Sequence, residues 1–360
     1  MAVAQTVTDT VTQAIGSLGL RGSTHPLSRN HSLDVFENFQ STPVIGQEFP
    51  SKAAQLAEIV HDDEKVKDLA VLVSQRGVVF FRGQDIGLED QKILGRKLGE
   101  LSGKPKESGL HIHPTTEAGA EKGDQISVIS SERKALFFLN DRSRFASTGW
   151  HTDITFEPVP SDYAILKIHT NPSSGGDTIW ASAYEAYSRL SPPVAKLLEG
   201  LSAYHEAKWF KDASQAYGHE VRTGERGHPL NKGDALEAVH PVIRTNPVTG
   251  WKGLFVNKEF TKRIVGISKD ESDLLLEYLF KIVSQNHDLT VRFKWSVNNP
   301  PGIGDVAIWD NRSTFHSATF DYDKSLRVGD RVVSVGEKPY FDPESKDWRE
   351  ARGLPSFHEL

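Results

Sequence analysis

Apolar positions recur along this chain with two different periods. Helical spacing runs through 53–73, where Leu56, Ile59, Val60, Val66, Leu69 and Ala70 mark one face, and again through 88–101, 192–201 and 269–284. In the last stretch Leu274, Leu275, Tyr278, Leu279 and Ile282 predict the buried stripe, and the Pro192-Pro193 pair suits a first helical turn. Short β-branched and aromatic runs predict strands at 77–82, 126–129, 164–169, 178–181, 239–244, 253–256, 290–295, 306–309 and 331–335. Asn246-Pro247-Val248-Thr249-Gly250 sits between two of them as a hairpin turn signal. Many short strands with a few outer helices predict a mainly β protein with flanking helices, a double-stranded β-helix or jelly roll. Residues 1–42 are polar and read as a flexible arm with one short helix at 11–20, and 43–360 as a single domain without internal repeats.

Composition narrows the function classes. The chain has 360 residues, a net charge of -6 and no cysteine. Disulfides, thiolate zinc sites and a cysteine nucleophile are therefore excluded. Scattered basic residues on an acidic chain give no footprint for nucleic acid. No apolar run approaches the ~20 residues needed to cross a bilayer, and the first twenty or so residues lack a secretory pattern. The expectation is a cytoplasmic protein without a membrane or nucleic-acid partner; homo-oligomerisation stays open.

The chemistry concentrates in His151-Thr152-Asp153, followed far downstream by His316, Arg327 and Arg331. Two imidazoles and a carboxylate are the donor set of one face of a non-haem iron(II) site. If 150–156 is extended, His151 and Asp153 point to the same side and Thr152 away. His61-Asp62-Asp63 has the same spacing, but in a helical stretch two residues apart face nearly opposite sides, so His61 reads as solvated. Ser174-Gly175-Gly176-Asp177-Thr178 lacks the lysine and following helix of a phosphate loop, and reads as a tight turn into a strand.

Taken in order, the segments Leu110-His111-Ile112-His113-Pro114, Trp150 to Phe156, Gly175 to Trp180, His240 to Thr245 and Leu254 to Asn257, then Ile308 to Arg312, His316, Asp321-Tyr322 and Arg327, resemble the taurine dioxygenase family of iron(II)- and 2-oxoglutarate-dependent oxygenases. The resemblance implies His151, Asp153 and His316 as Fe(II) ligands, and Arg327 and Thr178 as the grip on the 2-oxoglutarate tail carboxylate. It implies Arg331 and His113 at the anionic group of the substrate, Phe255 as an aromatic wall and Trp309 near the metal, although core packing explains both aromatics as well. His111 reads as structural. Arg331 lies four residues past Arg327 on one strand face, with Gly329 between them leaving room for a ligand; the competing reading is an outer salt bridge to Glu337.

The resemblance further implies decarboxylation of 2-oxoglutarate with O2 and hydrogen abstraction from a substrate C–H bond. A small anionic substrate is expected, with an alkyl sulfonate as prototype. Where the taurine-handling member carries a tyrosine and an asparagine, this chain has Thr116 and Ser147, so an amino acid, an aryloxy acid or a secondary-metabolite intermediate is the alternative. A non-catalytic metal-containing jelly roll is the distant one; it would not need Arg327 and Thr178.

Overall fold

The computed structural model describes residues 26–116, 120–132, 145–216, 220–322 and 325–359. Its spine is a seven-stranded sheet in the spatial order Phe39–Gln40, Gln47–Phe49, Val78–Gln84, Gly304–Asp310, Ser161–Thr170, Val328–Val335, Ser127–Ser130. Side-chain alternation gives this sheet two apolar faces. Val79, Phe81, Ile165, Val306 and Ile308 meet the helices Asp63–Arg76 and Leu88–Leu101 in one core. Val78, Phe80, Ala164, Leu166, Ala307, Trp309 and Val333 face the other way and meet Trp180, Val291 and Phe293. Those three belong to a second sheet, in the order Thr290–Phe293, Thr178–Ser182, Thr314–Ala318. Two sheets thus face each other across a core, with helices outside the larger one. A third core gathers Leu276, Leu279 and Ile282 of the helix Lys269–Gln285 with Ala203, Ile243 and Ile264.

The predicted strands appear within a few residues, and the helix over 88–101 has the expected bounds. The hairpin at 246–250 also forms, with Thr245 opposite Lys252 and Gly250 at φ 69°. Elsewhere tertiary structure overrides local pattern. The single helix expected over 53–73 splits into Leu56–Ile59 and Asp63–Arg76, because Asp62 adopts an extended conformation and accepts the N–H groups of Glu64 and Lys65 as an N-cap. His61 is exposed, in the turn between them. In Lys269–Gln285 the buried stripe is rotated: Leu274 is 70% and Tyr278 44% exposed, while Ser272, Leu276, Leu279, Ile282 and Val283 are buried. The triplet Leu274-Leu275-Leu276 leaves the phase ambiguous, and packing against the strand Thr261–Val265 selects Leu276. The strand expected over 239–244 breaks at Val242 into Glu237–Pro241 and Ile243–Thr245.

Part of the expected N-terminal arm packs on the fold. The short helix at 11–20 falls outside the described residues, but the part from 26 to 42 is fastened to the fold. Leu33 is fully buried, the Leu27 N–H donates to the Val248 carbonyl, and the Arg29 guanidinium holds the buried Asp68 carboxylate through two hydrogen bonds. Among the described residues no helix is long and apolar enough to cross a membrane.

Candidate active site

His316 lies on Thr314–Ala318, opposite Trp180. His151 meets it in an isolated antiparallel bridge in which each backbone N–H donates to the other's carbonyl, at 3.0 and 2.8 Å. Directly opposed residues project to one side of a ladder, so the two imidazoles come together, 4.2 Å apart between ring centres. The extended run expected over 150–156 ends there. The chain turns at once, with Ile154 at φ 52° and the Glu157 N–H on the Ile154 carbonyl. His151 and Asp153 keep their side chains together just before this turn, with Thr152 between them turned to the Thr314 carbonyl. Asp153 Oδ1 is 3.8 Å from Nε2 of both His151 and His316.

These three residues offer donor atoms within 4.8 Å of one another, the one such cluster among the described residues. His151 Nδ1 is 2.7 Å from the Gly149 carbonyl, which can only accept; Nδ1 therefore carries the proton and Nε2 presents its lone pair to the cluster. Burial pushes the Asp153 carboxyl up, but the Arg331 guanidinium, the two imidazoles and the Asn311 amide outweigh it and hold it at about 2. Two imidazoles and a charged carboxylate, with no thiolate, suit a divalent iron.

Thr178 is opposite Ala318 and two residues before Trp180, so it shares the face that carries His316. Arg327 reaches the same place from the larger sheet. It is buried, its Nε–H donates to the Gly176 carbonyl at 2.7 Å and its Nη2–H to Thr178 Oγ1 at 3.2 Å. Burial lowers its pKa, yet a guanidinium stays charged at neutral pH. The glycine turn has the expected role: Gly175 and Gly176 are both at positive φ, and a Cβ on Gly176 would come within 3.1 Å of Arg327 Cδ. Asp321 Oδ1 accepts the Gly176 N–H and fastens the turn.

Arg331 shares the inner face of Val328–Val335 with Val333. Its Nη1–H donates to Asp153 Oδ1 at 2.8 Å, while Glu337, the alternative partner, takes Arg244 instead. Gly329 does not leave room for a ligand: a Cβ there would meet the Lys167 carbonyl at 2.4 Å and Ile168 Cδ1 at 2.5 Å, so close strand packing demands glycine. His113 donates or accepts at Thr115 Oγ1 and stands edge-on to Phe210, 4.8 Å away. Burial, with His111 and Arg331 nearby, pushes its pKa well below the usual imidazole range, so the ring is neutral. His111 is tied into a buried cluster with Glu157 and Arg226, in keeping with a structural role.

The remaining expected residues scatter. The Thr116 N–H closes a turn onto the His113 carbonyl. Ser147 lines a crevice with Trp150, Asn257 and Phe280. Phe255 packs on His205, His240 and the Arg244 guanidinium. The aromatic ring beside His151 is Phe260, 6.2 Å away, which joins Phe156 and Phe210 in a wall reaching to His113. Phe260 lies three residues past Asn257, the end of the Leu254 to Asn257 segment, and carries no motif signal. Asn311, within Ile308 to Arg312 but without a predicted role, bonds directly to Asp153. Trp309 stands 4.9 Å from the His316 ring.

Residues 37–333 match the family model described as taurine catabolism dioxygenase TauD, TfdA family. The chain is 44% identical to the alpha-ketoglutarate-dependent dioxygenase btcD of Neocamarosporium betae, over 91% of this chain and 98% of that protein. It is 39% identical to the alpha-ketoglutarate-dependent dioxygenase esdpJ of Penicillium shearii, over 94% and 99%. Among solved structures, a putative alpha-ketoglutarate-dependent taurine dioxygenase from Burkholderia xenovorans superposes with a TM-score of 0.64 at 29% identity, covering 86% of this chain and 92% of that one. With a facial set of two histidines and an aspartate beside a buried arginine, the chain belongs to the TauD, TfdA family of dioxygenases and depends on Fe(II), 2-oxoglutarate and O2.

Proposed function

We propose that this dioxygenase hydroxylates a small substrate whose anionic group is held by Arg331 and approached by His113, with His151, Asp153 and His316 holding the iron and Arg327 with Thr178 holding 2-oxoglutarate. The observation that carries the reading is the placement of two arginines on one side of the core. Arg327 sits at Thr178 and the glycine turn, while Arg331 sits at the metal-facing oxygen of Asp153. Two guanidiniums at separate positions suit two anions, a co-substrate and a substrate. The facing sheets support a double-stranded β-helix.

When bound, iron with 2-oxoglutarate and O2 supplies the oxidising power for the C–H bond. This chain's residues bind and orient. The Arg327 fork and the Thr178 hydroxyl fix one carboxylate of the co-substrate. The neutral His113 ring can hydrogen-bond an anion without adding charge. Phe156, Phe210 and Phe260 exclude water between His113 and His151, where the substrate body would lie.

Taurine, the sulfonate named for the Burkholderia protein, is the prototype; hydroxylation beside a sulfonate would release sulfite and an aldehyde. The three-phenylalanine wall favours an apolar or aromatic body next to the anion, which keeps an aryloxy acid, an amino acid or a biosynthetic intermediate as the second reading. A panel of alkyl sulfonates, aryloxy acids and amino acids, assayed for substrate-dependent succinate release with Fe(II), decides between them. Turnover confined to uncharged substrates would remove the role given to Arg331.

A further inference from the structure

We propose that Asn311 is a positioning residue that confines Asp153 to one-oxygen ligation of the metal. Its side-chain amide is buried and its hydrogen-bonding capacity is filled. Oδ1 accepts from the Asp153 backbone N–H at 3.1 Å and from the Trp309 indole N–H at 3.0 Å. Nδ2 donates to Asp153 Oδ2 at 3.3 Å and to Ser161 Oγ at 2.9 Å. The first two partners can only donate, so the amide oxygen must face them and the NH2 group must face Asp153 Oδ2 and Ser161. The orientation is thereby fixed by chemistry.

One side chain thus grips Asp153 at two points. The backbone bond sets where the residue starts, and the amide donor sets which carboxylate oxygen is turned away. Oδ2 is held by the amide; Oδ1, which accepts from Arg331 at 2.8 Å, is the oxygen 3.8 Å from both imidazole Nε2 atoms. Turning Oδ2 toward the metal as a second ligand would break its bond to Asn311 while the backbone tie resists movement of the whole residue. The same amide anchors the Trp309 indole, whose ring packs on His316. Asn311 therefore supports two of the three ligands without reaching the substrate space. The consequence is a matter of positions: an octahedral metal with three protein donors keeps three open, and a second carboxylate oxygen would take one of them.

This inference rests on the triad holding a divalent metal, so the test reads Mn(II) directly in the full chain, without turnover. Mn(II) affinity is measured by electron paramagnetic resonance, and bound water by proton relaxation, in wild type, Asn311→Ala and Asn311→Asp. Wild type is expected to keep about three waters on the metal, given six-fold coordination. In Asn311→Ala the affinity should fall about 10- to 100-fold, the range for losing a ligand's supporting partner. About one water should also be lost as Asp153 swings to two-oxygen binding. Asn311→Asp keeps both accepting bonds and so the backbone tie and the indole, but faces Oδ2 with a like charge; it too should lose about one water, and it decides the matter if the alanine variant does not fold. If water number and affinity both stayed at the wild-type values and only the metal-free melting temperature fell, Asn311 would be a packing residue and the proposal overturned. Failure of the metal reading looks different: wild type would bind no Mn(II), or His316→Ala would bind it as well as wild type does.

Discussion

Arg327→Ala tests the co-substrate reading most directly. The guanidinium is buried, with Nε–H on the Gly176 carbonyl and Nη2–H on Thr178 Oγ1. Truncation removes a positive charge from a desolvated pocket and leaves an incoming carboxylate without its partner. Losing one side of a buried, hydrogen-bonded charge pair costs on the order of 2–5 kcal/mol, which corresponds to roughly 30- to 5000-fold in 2-oxoglutarate affinity. A smaller part of the damage is structural. The Gly176 carbonyl loses its donor, a desolvation cost of about 1–3 kcal/mol in stability, whereas Thr178 still accepts from the Trp295 indole. Anaerobic calorimetric titration of the Mn(II)-loaded protein with 2-oxoglutarate separates the two effects, since a folded variant reports affinity independently of its melting temperature. Arg327→Lys should recover only part of the affinity, because an ammonium can replace one of the two donors but not the planar fork. An affinity for 2-oxoglutarate unchanged in folded Arg327→Ala would refute the assignment.

Other outcomes follow from the same geometry. His316→Ala should abolish stoichiometric iron binding and turnover while the fold survives; metal content at wild-type level, measured after desalting, would contradict the triad. Arg331→Ala should raise the substrate KM strongly and leave 2-oxoglutarate affinity nearly intact, since one of two anions has lost its partner; equal losses for both would argue against separate roles. The same variant removes the first of the charges that oppose burial at Asp153, so the carboxyl should rise from about 2 and Mn(II) binding should weaken at a higher pH than in wild type, measured by titration between pH 3 and 7. Burial holds His240 at about 3 and His205 well below the imidazole range. Both are neutral when folded, whereas the unfolded chain takes up their protons below about pH 6.5. Their contribution is thus intact above that pH and is lost as pH falls toward the folded values, by up to about 1.4 kcal/mol per pH unit per histidine. Urea unfolding at pH 7.0, 6.0 and 5.0 should show progressive loss, and a flat profile would mean that these rings are protonated in the fold.

The sequence by itself determined the chemistry on offer. Residue types limited the metal donors to imidazole and carboxylate, and the order His151, Asp153, Thr178, His316, Arg327, Arg331 named a candidate site because each is a specific chemical group at a specific place in the chain. Alternation and turn residues also gave most strands and the 246–250 hairpin, where the signal is local. Tertiary structure decided what depends on distant partners. The chain turns directly after Asp153 with Ile154 at positive φ, a conformation no pattern of apolar residues encodes. Leu276 rather than Leu274 is buried because the strand beside that helix, not the helix, sets the phase. Gly329 is glycine because Lys167 and Ile168 of the neighbouring strand leave no space for a Cβ. Phe260 stands beside His151, and Asn311 meets Asp153 across 158 residues of chain. Hydrogen bonds and ring contacts at such separations are set by the closing of two sheets on one another, and a linear pattern can name their members only when the chemistry of a side chain is itself distinctive.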